Sequence, residues 1–158
     1  MILSAQYEVP ESDMLQVKPA LQEALNAQDI DKIIEQFKII YSSIPYMYFD
    51  SNKNEHFYSA LLLTYLQALG MDTIAERVGN KGRLDISLHN KENVYIFELK
   101  IDSAQKAIEQ IIAKTNTYKS ACAYKNKKVT LVGVNIDFSQ RNIIKHTVKH
   151  TEVFVTPV

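Results

Sequence analysis

The chain has 158 residues, enough for one domain with a real core, and its 46% apolar and 23% charged content fits a soluble globular protein. A single cysteine, Cys122, excludes an internal disulfide and reads as a small packed residue of a reducing compartment. Formal charge is zero overall but unevenly placed: residues 1–79 hold five Lys/Arg and eleven Asp/Glu, and residues 80–158 hold thirteen and seven. A basic half is compatible with a polyanion partner, although solvated lysines usually do nothing specific. The greasiest run, Ala60–Leu69, is too short and too polar to span a bilayer. MILSAQYEVPESD lacks a basic region followed by a long apolar stretch, so no signal peptide is expected and the location expected is cytoplasmic.

The first predicted element is a helix with Pro19 in its first turn and Leu21, Ala24 and Leu25 at helical spacing. A second helix begins near Asp29 or Asp31. Its stripe of Ile30, Ile33, Ile34, Phe37, Ile40 and Tyr41 lies on one face, and Pro45 breaks it. Together they read as a helical hairpin over 1–48, packed on a second unit over 49–158 within one compact domain. A third helix runs from about Asn52 to Leu69, capped by Asp50 or Ser51 and ended by Gly70, with Leu61, Leu62, Tyr65 and Leu69 inward.

The period then changes. Asp72–Val78 alternates loosely, as a strand. RLDISLH alternates strictly, with Leu84, Ile86 and Leu88 on one face and Arg83, Asp85, Ser87 and His89 on the other. Asn90–Asn93 is a turn and Val94–Ile101 a third strand. A helix follows, capped by Asp102 or Ser103, with Ala104, Ala107, Ile108 and Ile111 inward. KVTLVGVNI reads as a buried strand. The tail from Arg141 reads as one or two edge strands, or as a short helix and a strand. The order predicts an α/β domain with a mixed sheet.

In Val94–Ile101, Glu98 and Lys100 share a face with Val94 and Ile96, while Tyr95, Phe97, Leu99 and Ile101 form the other. Burying a carboxylate and an ammonium costs several kcal/mol unless they are paired or bind a metal. The turn at 90–93 brings the strand of Asp85 alongside, so a hairpin can carry Asp85 and Glu98 to one point. Two hard carboxylates suit Mg²⁺ or Mn²⁺, and a lysine two residues from the glutamate can orient a nucleophile. These are the parts phosphodiester hydrolysis needs. By itself the D-x12-E-x-K spacing is a weak signal, and on spacing alone a cross-strand ion pair is the better reading.

Glu55, then GRLD (Gly82–Asp85), FELK (Phe97–Lys100) and AIEQI (Ala107–Ile111), in that order, resemble the PD-(D/E)XK nuclease superfamily. They are similar to the branch found as the C-terminal module of AAA-ATPase-like proteins. The likeness extends over the helical approach Asp29–Tyr46, the helix Asn54–Gly70 and Lys127–Asp137. It implies a restriction-endonuclease-like αβββαβ core and metal-dependent cleavage of nucleic acid, DNA first. Motif by motif, Asp85 takes the metal-binding Asp position, Glu98 the acidic position, Lys100 the lysine and Gln110 the glutamine of the following helix. Glu55 matches an acid that the first core helix adds to the metal shell, and the Leu99 carbonyl is a further ligand the resemblance implies. The implied ion is Mg²⁺, with Mn²⁺ able to substitute. Leu84 stands where the family has proline, and Asn116 where this branch often has tyrosine, the nearest being Tyr118.

Other residues have bland readings beside functional ones. Glu55 in a first helical turn favours the helix dipole anyway. Glu76 is a further acid or a surface residue, Arg83 a phosphate contact or its ion-pair partner, and His56 a neighbour of Glu55. His89 is four residues along the strand from Asp85, too far to share a metal. His146 and His150 would lie about 13 Å apart on a strand, with no acid beside them, so a zinc site is not expected. Lys114, Lys119, Lys125, Lys127 and Lys128 can track a nucleic-acid backbone or simply solvate a loop. No phosphate-binding G-x4-G-K-[ST] occurs, so this chain is not itself an ATPase. The expected partners are DNA and an AAA-type ATPase, with no membrane, and a homodimer is an assembly the resemblance allows. The rival reading is a non-catalytic nucleic-acid- or protein-binding module of the same fold working with such an ATPase.

Overall fold

A computed structural model describes residues 11–48, 55–77, 84–101, 103–113 and 127–150. Helices α1 (Glu11–Ala27), α2 (Ile30–Ser43) and α3 (Glu55–Ala68) precede strands β1 (Thr73–Arg77), β2 (Leu84–His89) and β3 (Asn93–Lys100). Helix α4 (Ala104–Ala113) then leads to β4 (Lys128–Asp137) and β5 (Asn142–His150). The five strands form one sheet in sequence order. β3 and β4 are parallel, joined through α4, and the other pairs are antiparallel. This is the mixed sheet and restriction-endonuclease-like α/β architecture that the sequence predicts, and the tail, as far as His150, is a single edge strand.

Pro19 lies inside α1, not in its first turn. Proline is tolerated there because it sits on an exposed face. The Leu15 carbonyl that loses its donor belongs to a residue 73% exposed, where water can replace the bond. The α1–α2 connection is two residues long. Gln28, at φ 55°, and Asp29 return their N–H groups to Leu25 and Ala24 carbonyls, and Asp29 then caps α2 by accepting from Lys32 N–H. Gly70, at φ 74°, closes α3 in the same manner, with Gly70 and Met71 N–H donating to Gln67 and Leu66 carbonyls. The expected caps at Asp50 and Ser51 lie outside the described residues.

All six residues of the α2 stripe are buried. They join Val17 and Leu21 of α1, Tyr58, Leu62 and Leu66 of α3, and Tyr95, Phe97 and Leu99 of β3 in one core. The hairpin is thus continuous with the sheet's core. Phe37 packs edge-on against Phe97 with ring centroids 4.9 Å apart. Tyr41 OH donates to the Tyr58 carbonyl and Tyr95 OH to the Leu25 carbonyl, each at 2.8 Å. Burial raises the Tyr41 hydroxyl pKa well above the usual phenol range, assisted by Tyr58.

The other face of the sheet carries Val94, Ile96, Val129 and Leu131, all buried, and is covered by Ala104, Ala107 and Ile108 of α4. Ser103 Oγ caps α4 by accepting from Lys106 N–H. Ile111 is part of α4, but its side chain lies outside the described set.

Candidate active site

The site is built at the C-terminal ends of β3 and β4, where α3 begins. Apolar residues on both sides hold β3 in the middle of the sheet, so the alternation that buries Val94 and Ile96 also buries Glu98, at 3% exposure. Two residues on, Lys100 reaches the strand end. Its Nζ stands 3.9 Å from Glu98 Oε1 and 4.0 Å from Glu55 Oε1. Glu55 is the first residue of α3 and remains about one-third exposed. Residues 45 positions apart therefore meet: the N-terminus of α3 is aimed at the end of β3, and one ammonium serves two carboxylates.

Asp85 is in β2 with its Cα opposite that of Glu76, but its side chain lies outside the described set. The β2–β3 pairing begins at Ile86 opposite Phe97, so Asp85 and Glu98 are the residues that next follow that pair on the two strands. Arg83 also lies outside the described residues, and nothing is said of the Glu76 side chain. Gln110 is half-buried on α4, one turn beyond Ala107. Leu99 is buried with its side chain in the helical core.

Gly133, not singled out in the sequence, decides how α4 approaches. It stands opposite Glu98 in the β3–β4 pair. A Cβ there would collide with the Ala104 carbonyl oxygen and come within 2.8 Å of Ile108 N. Helix backbone thus rests directly on the sheet beside Glu98. A glycine inside an apolar strand is the sequence signal for such an approach.

Several other candidates separate from the site. His89 is buried and lies 2.7 Å from Ser87 Oγ. Lys127 donates to the Asn90 carbonyl and Lys128 to Gln28 Oε1, at 3.1 and 2.6 Å. Both lie at the start of β4. Since Lys128 pairs with Asn93 and Asn135 with Lys100, they are some seven residues, about 23 Å, from the Lys100 end. Each ammonium thus joins a turn or a helix junction at the end of the sheet away from Lys100. Lys114, Lys119 and Lys125, like Asn116 and Tyr118, lie outside the described residues. The expectation that no acid accompanies His146 is corrected: Asp31 Oδ1 lies 2.8 Å from its Nε2, brought there by α2 across 115 positions of sequence.

The donor set can be tested against a hard cation. Glu55 and Glu98 supply carboxylate oxygens around a single ammonium, the ligand chemistry that suits Mg²⁺ or Mn²⁺. Among the described residues no three His, Cys, Asp or Glu side chains converge, and the Asp85 side chain lies outside that set. Among the described residues no helix is long and apolar enough to cross a membrane.

A family model of the PD-(D/E)XK nuclease superfamily matches residues 53–146. The chain is also 25% identical over 135 residues to a protein described as an uncharacterized protein in the vnfD 5′ region of Azotobacter chroococcum. That match covers 82% of this chain and 26% of the relative, so the chain spans about a quarter of the relative's length. No solved structure matches.

Proposed function

The chain belongs to the PD-(D/E)XK nuclease superfamily, and from that premise we propose that it is a Mg²⁺-dependent nuclease hydrolysing phosphodiester bonds in DNA. The observation that carries the reading is the sharing of Lys100 between a buried Glu98 and the helix-borne Glu55. Burying this charge has no packing rationale, because the positions before it on the same face are Val94 and Ile96.

In this reading Glu98, Glu55 and Asp85 hold the metal, with the Leu99 carbonyl as a further oxygen ligand. A bound Mg²⁺ would neutralise charge on the scissile phosphate and make a water a better nucleophile. Lys100 donates to the attacking water and to the phosphate oxygen on which charge grows. Gln110, on the helix seated over Gly133, helps orient Lys100 or the substrate. The water oxygen bonds to phosphorus as the bond to the sugar oxygen breaks. One proton passes to solvent, and the leaving oxygen takes one from solvent. GRLD, FELK and AIEQI further support placing the chain in the branch that works beside AAA-type ATPase domains, which makes such a domain a proposed partner.

The test is cleavage of duplex and single-stranded DNA in Mg²⁺ and in Mn²⁺ by the wild type, Asp85→Ala and Lys100→Ala. Loss of activity by at least about a hundredfold in both variants is expected. Equal cleavage by all three proteins refutes the reading.

A further inference from the structure

We propose that Asn135 is a further residue of this site, one that fixes the orientation of the attacking water. The proposal rests on the nuclease reading above. Asn135 is Lys100's partner in the β3–β4 register, and Lys145 of β5 is its partner on the other side. Paired residues of neighbouring strands share a face and lie about 5 Å apart, so Asn135 stands beside Lys100 on the face of Glu98. β4 is otherwise an apolar strand, buried from Val129 to Val134. Into this environment Asn135 brings an amide whose Oδ1 is buried with no hydrogen-bond partner among the described residues. A buried acceptor of that kind destabilises a fold unless something outside the chain completes it.

Local backbone supports a deliberate placement. The β4–β5 register shifts between Asn135 and Ile136: Asn135 pairs with Lys145 and Ile136 with Ile143, which leaves Ile144 as an extra residue in β5. Bulges of this sort re-aim the side chains next to them and gather near active sites. This one adjoins the row Lys100–Asn135–Lys145.

The chemistry of the pair is complementary. Lys100 has only N–H donors, and Asn135 Oδ1 is only an acceptor. A water between them accepts from the ammonium and donates one hydrogen to the amide oxygen. Its remaining lone pair is then held in a fixed direction for attack on phosphorus. Its two protons are accounted for: one leaves to solvent as the P–O bond forms, and the other remains on the new phosphate oxygen.

The experiment compares wild type, Asn135→Val and Asn135→Asp in thermal melts without nucleic acid and in steady-state cleavage of a DNA oligonucleotide with Mg²⁺. N135V removes the orphaned acceptor and is expected to raise Tm by about 2–4 °C. Its kcat should fall about tenfold to a hundredfold with KM unchanged, because the water loses its orientation while substrate binding persists. N135D retains an acceptor oxygen and should recover part of kcat. A fall in Tm for N135V would show the amide to be structural and overturn the inference whether or not the protein cleaves DNA. Wild-type kcat in N135V overturns it while leaving the nuclease reading intact. A wild type without cleavage in Mg²⁺ or Mn²⁺ overturns both, and is told apart because the wild type itself is silent.

Discussion

Glu98 and Lys100 project from one face of β3 with carboxylate and ammonium 3.9 Å apart, and the same ammonium lies 4.0 Å from Glu55 on another element. Two carboxylates sharing one cation form a site that a divalent ion can strengthen. In the nuclease reading, Mg²⁺ near a hundred times its dissociation constant should stabilise the wild type by about 2.7 kcal/mol. That corresponds to a Tm increase of about 5–10 °C over the metal-free protein in chelator. Glu98→Gln should show little or no increase, with a metal-free Tm below that of wild type, since the largely buried Lys100 then keeps only Glu55 as its carboxylate partner. Equal metal-induced shifts in the two proteins would place any bound ion elsewhere.

Lys100→Ala separates the lysine's two roles. In chelator it leaves Glu98 buried without its ammonium and should lower Tm, by several degrees given a loss of about 1–3 kcal/mol. Mg²⁺ should restore much of that stability, because a cation again neutralises the carboxylates. Cleavage should stay down about a hundredfold even when Tm has recovered. Recovery of both together would make the lysine a structural counter-ion only.

Gly133 joins the sheet to α4, and an added methyl meets helix backbone instead of a flexible side-chain tip. Gly133→Ala should therefore cost about 1–3 kcal/mol and displace α4, which carries Gln110. Gly70→Ala is the control, since its φ of 74° makes it costly too, but at the end of α3 remote from Glu55. Circular-dichroism melts should show both variants destabilised, with cleavage below the melting range impaired only in Gly133→Ala.

Phe37→Ala tests whether the helical hairpin and the sheet form one cooperative unit. Phe37 is fully buried and touches Phe97, the neighbour of Glu98 in sequence. A loss of about 3–5 kcal/mol is expected, with a single transition by both far-UV and near-UV signals. Two separated transitions would show that the hairpin over 1–48 unfolds on its own.

How much of this was legible in sequence depended on whether a signal was local. The α2 stripe and the alternation of β2 and β3 are local, and every residue of that stripe is buried. Glu98 could be identified as buried because it interrupts apolar residues two apart. Pro19 misled because tolerance of proline inside a helix depends on which face meets water, which the tertiary structure decides. The meeting of Glu55 with Lys100, and of Asp31 with His146, arises from packing across 45 and 115 positions, for which spacing gives no signal. Motif resemblance supplied the first of these and nothing supplied the second. Asn135 and Gly133 were visible only as a polar and a small residue in an apolar run. Their meaning comes from the strand register and from the approach of α4.

Tyr95 gives the fold a pH dependence that can be worked out in sign. Its hydroxyl is buried and donates to the Leu25 carbonyl, and burial pushes its pKa up to about 12 from an ordinary value near 10. A raised acid favours the neutral form in the folded state. The stabilisation is fully present below pH 10 and is lost as pH climbs from about 10 through 12, because the unfolded chain gives up its proton first. Tyr41, raised by burial and then by Tyr58, adds to the same alkaline loss. Tyr95→Phe should cost about 1 kcal/mol at pH 7, a modest value because the Leu25 carbonyl still accepts from Asn90 Nδ2 and Gln28 N–H. Above pH 10 the variant's stability should fall less steeply with pH than the wild type's, so the two urea midpoints converge. Parallel midpoint curves from pH 8 to pH 11.5 would show that Tyr95 ionises no later in the folded protein than in the unfolded chain.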